Sequence, residues 1–151
     1  MVVLSALSKT IQAQPQVASI GSITELRGVG RVVREQDPFA AALSFAINSF
    51  DNVETSQGRI GITFLDESQV RLTEHSQLLI DEFIYDPDPS KSKMALKFAS
   101  GTARFITGKL ASINTENISI ETPSATIGIR GTDFTVTVDE LDHGRSTSDT
   151  V

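Results

Sequence analysis

Acid–base chemistry near neutral pH has only two histidines to draw on in this chain, His75 and His143, and they stand in unrelated contexts. No Ser-His-Asp ordering and no Gly-x-Ser-x-Gly elbow accompanies either of them. His75, between Glu74 and Ser76, reads as a residue capping a surface turn. Carboxylates are adjacent at Asp66-Glu67, Asp81-Glu82 and Asp139-Glu140. Neighbours on a strand point to opposite faces, so such pairs cannot converge on one glycosidic bond. Asp86 and Asp88, two apart in Asp86-Pro87-Asp88-Pro89-Ser90, are weak candidates for a shared cation. Calcium takes about six to eight oxygens, and no glycine-centred loop supplies the rest. Cysteine is absent, which removes thiolate catalysis, disulfides and sulfur-ligated zinc. Gly28-Val29-Gly30 and Gly128-Ile129-Arg130-Gly131 complete neither a GxGxxG nor a Walker loop. The expectation is a noncatalytic chain with no catalytic residues, metal or cofactor.

Arg130 has the most to satisfy. It stands between apolar Ile129 and Gly131 at the break between two alternating segments, with five N–H donors to place. Turn carbonyls or a carboxylate such as Asp133 are the economical partners, so Arg130, Gly131, Thr132 and Asp133 read as a structural turn clamp. On that reading Arg130→Ala lowers the melting temperature and the solubility; an unchanged melt would refute the clamp.

Alternation predicts the elements that carry these residues. Ala125, Ile127 and Ile129, then Phe134, Val136 and Val138, share one face of two half-buried strands. Ile60, Ile62 and Phe64 do the same, turn at Asp66-Glu67-Ser68, and continue through Val70 and Leu72 as a hairpin. Leu78, Ile80, Phe83, Ile84 and Tyr85 form the next strand, closed by the prolines after Asp86. Met94, Leu96 and Phe98 are separated by Gly101 from Ala103 and Phe105, which predicts another hairpin. Gly28 and Gly30 divide an opening hairpin, at a turn or bulge, between Gly21 and Glu35. Asp37-Pro38 before Phe39-Ala40-Ala41-Ala42 predicts a short helix or turn, and residues 3 to 13 a short amphipathic N-terminal helix. Nine or ten short strands at this spacing predict an all-β fold, a compact sandwich or a short β-roll or solenoid.

The chain has 13 basic against 19 acidic residues, a net charge of −6, which opposes a phosphate backbone and argues against nucleic-acid binding. No stretch reaches the ~20 apolar residues of a membrane span, so no membrane insertion is expected. Met1-Val2-Val3-Leu4-Ser5-Ala6-Leu7 lacks the charged n-region and the apolar run of a secretion signal. Eight Phe, one Tyr and no Trp suit core filling better than a stacking platform.

Glu121-Thr122-Pro123 followed by Ala125-Thr126-Ile127-Gly128-Ile129-Arg130-Gly131-Thr132-Asp133-Phe134 resembles the closing signature of FecR-type domains. The resemblance continues upstream through Gly58-Arg59-Ile60-Gly61-Ile62-Thr63-Phe64-Leu65-Asp66-Glu67-Ser68, Leu72-Thr73-Glu74-His75-Ser76-Gln77-Leu78 and Phe98-Ala99-Ser100-Gly101-Thr102-Ala103-Arg104-Phe105. It covers roughly residues 21–138, which leaves 1–20 as an N-terminal extension and 139–151 as a polar tail. The resemblance implies a compact β domain, usually exported or anchored outside the cytoplasm, in a family that includes relays of an iron-transport signal to a sigma factor. The preferred expectation is a β-rich structural or protein-interaction module within a larger assembly such as a virion or secreted complex. The alternatives are a periplasmic signal-sensing module and a surface module binding a carbohydrate or cell-wall polymer. The expected partners are other protein chains, by self-assembly or hetero-assembly, with a glycan compatible with the Thr- and Ser-rich strands.

Overall fold

Three long strands organise the chain: β1 (Gly21–Arg34), β4 (Asn52–Phe64) and β7 (Lys93–Ile106). Between and around them lie β2 (Asp37–Ala40), β3 (Ala46–Ile47), β5 (Gln69–Leu72), β6 (Gln77–Ile84), β8 (Ile118–Glu121), β9 (Thr126–Gly128), β10 (Asp133–Val138) and β11 (Asp149–Thr150). One short helix, α1 (Lys109–Ile113), follows β7. The computed structural model describes residues 18–113, 115–129, 132–139 and 149–150. The N-terminal helix expected over residues 3–13 and the Arg130-Gly131 half of the turn clamp lie outside the described residues.

The fold is all-β and compact, as expected. Among the described residues eleven strands form one sheet, in the order β11-β10-β7-β5-β4-β1-β2, with β6 bridging β4 and β7, β3 on β1, and the β8–β9 hairpin on β7. Every pairing is antiparallel except β7 with β8. The sheet rolls up. Leu78 of β6 faces Val53 of β4, so in a flat sheet Phe83 and Phe64 would lie about 50 Å apart at ~3.3 Å per residue. Their rings instead stack with centroids 5.2 Å apart. The enclosed core is a single cluster of Ile, Leu, Val and Phe to which every long strand contributes, with Ile23, Val53, Ile62, Leu78 and Phe98 fully buried.

The alternation of Ile60, Ile62 and Phe64 with Val70 and Leu72 forms the expected hairpin, Ile60 facing Leu72 and Ile62 facing Val70. Three glycine and proline signals resolve differently. Of the turn or bulge expected at Gly28-Val29-Gly30 the structure has the bulge: the register against β4 shifts between Gly28 and Gly30 inside one strand, and the chain does not reverse there. The hairpin comes later, at Glu35-Gln36, whose φ angles of 51° and 74° make the two-residue turn that leads into β2. The segment expected to be a short helix or turn at Asp37-Pro38 is instead strand β2, because residues 37–40 are drawn back alongside β1 and Phe39 faces Val32. Gly101, expected to divide a hairpin, is a kink with φ 95° inside continuous β7.

Candidate functional site

The Gly101 kink matters because of what it accommodates. A Cβ on this glycine would lie 2.1 Å from Ser76 Oγ, in the connection between β5 and β6. Ser76 Oγ accepts a hydrogen bond from Thr102 N at 3.2 Å, and Ser76 N donates to Thr55 Oγ1 of β4 at 2.8 Å. Thr55 Oγ1 in turn donates to Thr73 O at 2.6 Å, and Thr55 N donates to Ser76 O at 2.9 Å. Three segments far apart in sequence are thereby fixed beneath one surface. Gly101→Ala is expected to cost about 2 kcal/mol or more, since it combines a left-handed backbone with a contact that the Ser76 backbone cannot relieve. A lowered urea midpoint checks this, and an unchanged one refutes it.

Above this network lies an open groove of about 590 Å³, lined by Arg31, Glu54, Glu74, His75, Gln77 and Asp139 among others. A second depression of about 330 Å³ shares Arg31, Glu54 and Thr55 and carries the groove on to exposed Val29. Arg31 Nε donates to Glu54 Oε2 at 2.6 Å across the rim. His75 stands on the expected surface turn, with φ 54°, its N donating to Ser56 O at 3.0 Å and its side chain exposed. The carboxylates near it are spread along the rim, and the described residues contain no group of three His, Cys, Asp or Glu able to hold a metal ion. What the groove presents is hydrogen-bonding surface of both signs.

The remaining sequence-predicted residues go elsewhere. Thr132 O accepts from Thr107 N at 2.9 Å. Asp133 accepts from Arg104 Nε at 2.8 Å and from Arg104 Nη2 at 2.5 Å. These bonds, more than any other cause, hold the Asp133 carboxyl below its ordinary value of 3.8. A depressed carboxyl keeps its pairing above the unfolded-state value and loses it only as the pH falls through the lower folded-state value. An NMR titration of Asp133 should therefore find its midpoint below 3.8, and Arg104→Ala should move it upward. Asp86 Oδ1 accepts from Asp88 N at 2.8 Å, while Asp88 Oδ1 accepts from Ser90 N at 3.0 Å and Ser90 Oγ at 2.8 Å. Both carboxylates thus cap turns of their own loop.

Two aspartates are buried: Asp51, which the sequence reading passed over, and Asp66, which it placed in a turn without an anchoring role. Asp51 is fully buried and takes a two-pronged contact from Arg34, Nε to Oδ1 at 2.8 Å and Nη2 to Oδ2 at 2.7 Å. Hydrogen bonding to Asp51, opposed by partial burial, raises the Arg34 pKa. Asp66, also fully buried, accepts from Ser68 N, Ser68 Oγ and Leu110 N at 2.9, 2.6 and 3.1 Å. The spacing of Asp66 and Ser68 is that of an Asx turn, a signal open to sequence reading. No local pattern announces Asp51.

The family model described as FecR protein matches residues 51–149, about two thirds of the chain. The chain belongs to the FecR family. The match runs from the residue before β4 to the first residue of β11, and so includes Asp66, the segment around Arg130 and the groove residues Glu54, Glu74, His75, Gln77 and Asp139, but not Arg31. The FecR match begins after β1, yet β1 pairs with β4 along most of its length and buries Ile23 and Val32 in the same core. No curated protein and no solved structure matches the chain significantly. Nothing in these comparisons supports a virion or secreted structural component, the preferred expectation; FecR membership is consistent with the periplasmic signal-sensing alternative. No helix among the described residues is long and apolar enough to cross a membrane.

Proposed function

We propose that this chain is a noncatalytic, signal-sensing recognition module of FecR-type regulation, acting in the periplasm through protein contacts. The FecR match carries the reading. The groove supports it: the surface is wide, polar and of mixed charge, and it rests on a hydrogen-bonded base that joins β4, β7 and the β5–β6 connection. Such a base holds the rim side chains in fixed relative positions, as recognition of a protein surface requires. Arg31, Glu54, Glu74 and Gln77 are the residues offered for contact. The ion pairs of Arg31 with Glu54 and of Glu74 with Arg59 reach solvent, are worth little to stability and are open to exchange with a partner.

The test joins location to response. An alkaline phosphatase fusion in the native host should be active, as periplasmic display requires. Deletion of the chain should change transcription in response to an extracytoplasmic signal. Charge reversal of Arg31 and Glu54 together should weaken that response while leaving the melting temperature within a few degrees. An inactive fusion, or an unchanged transcriptional response after deletion, overturns the reading.

A further inference from the structure

We infer that an oblique line of four arginines on the outer face of the sheet binds a linear acidic polysaccharide, one that carries a carboxylate on each sugar. Arg27 of β1 lies directly opposite Arg59 of β4, and Arg71 of β5 directly opposite Arg104 of β7. Gly61 of β4 faces Arg71, which sets Arg59 and Arg71 diagonal to one another across the β4–β5 junction. Their strand neighbours Ile60, Leu72 and Ala103 are buried, so the arginines point outward, and all four are exposed. With strands ~4.8 Å apart and ~3.3 Å per residue, the line is roughly 16 Å long.

This arrangement opposes stability. Like charges directly opposite on neighbouring strands repel, and two such pairs stand in succession in a chain with more acidic than basic residues. Nearby carboxylates relieve little of the repulsion. Asp133 holds Arg104 closely. Arg59 reaches Glu74 only at 3.9 Å and Arg71 reaches Glu25 only at 3.8 Å, both beyond hydrogen-bond length. Arg71 Nη2 gives one bond, to Gln69 Oε1 at 3.3 Å, and Arg27 has no ion pair among the described residues. Three guanidinium groups thus keep most of their donors for an incoming ligand.

The lining of the site selects that ligand. Gly61 leaves the sheet bare between Arg59 and Arg71, and a depression of about 290 Å³ opens there, lined by Glu25, Arg59, Arg71, Thr102, Arg104 and Thr135 among others. A guanidinium fork matches the two oxygens of a carboxylate, while Glu25 and the threonine hydroxyls suit the hydroxyl groups of a sugar. A protein partner calls for an apolar centre, and none of the exposed large hydrophobic residues lies on these rows. The net charge of −6 acts weakly at the site, because charges beyond ~8 Å are screened at physiological salt. The centre of the line lies on the inner strands β4 and β5 and depends on neither edge of the sheet. It shares no lining residue with the groove, so the inference stands apart from the signalling role proposed above.

Calorimetric titration with polygalacturonate should show binding that weakens as salt is raised. Changing Arg59→Ala and Arg71→Ala together should lower the affinity about tenfold or more, since two charge-assisted contacts are lost. Each change removes one member of a repelling pair, so the melting temperature should stay at or above that of the parent, which separates lost binding from lost folding. If the double variant fails to fold, Arg71→Lys decides: it keeps the charge, loses the fork and should weaken binding several-fold. Lys93→Ala, which removes an exposed charge elsewhere, should leave the affinity unchanged. Neutral dextran should not bind, and poly-glutamate, oligothymidylate and phosphatidylglycerol vesicles should bind more weakly than polygalacturonate. No binding of polygalacturonate, an unchanged affinity in the folded arginine variants, an equal loss in Lys93→Ala, or binding of any rival as tight as that of polygalacturonate overturns the inference.

Discussion

Asp51→Ala is expected to lower the unfolding free energy by about 3 kcal/mol, through the loss of a buried counter-charge. The carboxylate is fully buried and satisfies three donors: Arg34 Nε, Arg34 Nη2 and Asn48 N at 2.8 Å. Removing it leaves the Arg34 guanidinium without its counter-charge over the rings of Phe39 and Phe45, with 5.9 and 5.4 Å to their centroids. Breaking a buried pair by deleting one partner costs about 3–5 kcal/mol. The Arg34 side chain keeps 30 % exposure and so regains some water, which places the loss at the lower end of that range. The rim pair of Arg31 and Glu54 is the internal contrast: Arg31 is more than half exposed, and Glu54→Ala should cost under about 1 kcal/mol. Guanidinium denaturation of both variants checks the ordering. Equal losses would show that burial does not govern these pairs.

The consequence of Asp51 is architectural. Arg34 ends β1, and its Nη2 also donates to Ala46 O at 2.8 Å, so one side chain ties the end of β1 to β3 and to the turn that begins β4. The aromatic pair over the guanidinium comes from β2 and the loop after it, the region for which the sequence predicts a short helix or turn. Local propensity misled there because Asp37-Pro38 is a good helix start only when the chain is free to proceed, and the Glu35-Gln36 turn folds it back onto β1. Gly101 misled for a related reason: glycine marks a positive φ, and a kink and a reversal share that need. Strands were legible wherever a two-residue period ran unbroken, as at Ile60-Gly61-Ile62-Thr63-Phe64, because burial of one face imposes that period directly.

The groove was less legible than the strands. Thr55, Ser76 and Gly101 meet only because β6 reaches both β4 and β7, and no linear spacing encodes that meeting. His75 and Glu74 drew attention by residue type, and their contribution is an exposed rim. The family signature is a separate kind of legibility. The Ala125–Phe134 run was readable as a FecR motif, and the match over residues 51–149 bears that reading out.

Asp66 supplies the second large prediction, and it connects the core to that motif. Its carboxylate holds Ser68 within the β4–β5 turn and Leu110 at the start of α1; its backbone carbonyl accepts from Lys109 N at 2.7 Å, and Ser68 Oγ accepts from Gly108 N at 2.9 Å. Gly108 is obligatory at this seam, since a Cβ there would lie 2.3 Å from both Asp66 O and Ser68 N. The chain leaving β7 is therefore anchored before it turns to build β8, β9 and β10. Asp66→Ala strands the buried Ser68 and Leu110 amides, at about 1–3 kcal/mol for each unsatisfied group, so a total loss of about 3 kcal/mol is expected. Asp66→Asn, which can still accept one or two of these bonds, should lose about half as much. Hydrogen exchange gives the readout that separates anchoring from general destabilisation. In Asp66→Ala the amides of Lys109 and Leu110, and then those of β8, should lose protection ahead of Ile60 and Ile62 in β4. Uniform loss across the sheet would mean that Asp66 stabilises the domain without specifically holding the segment that carries the FecR motif.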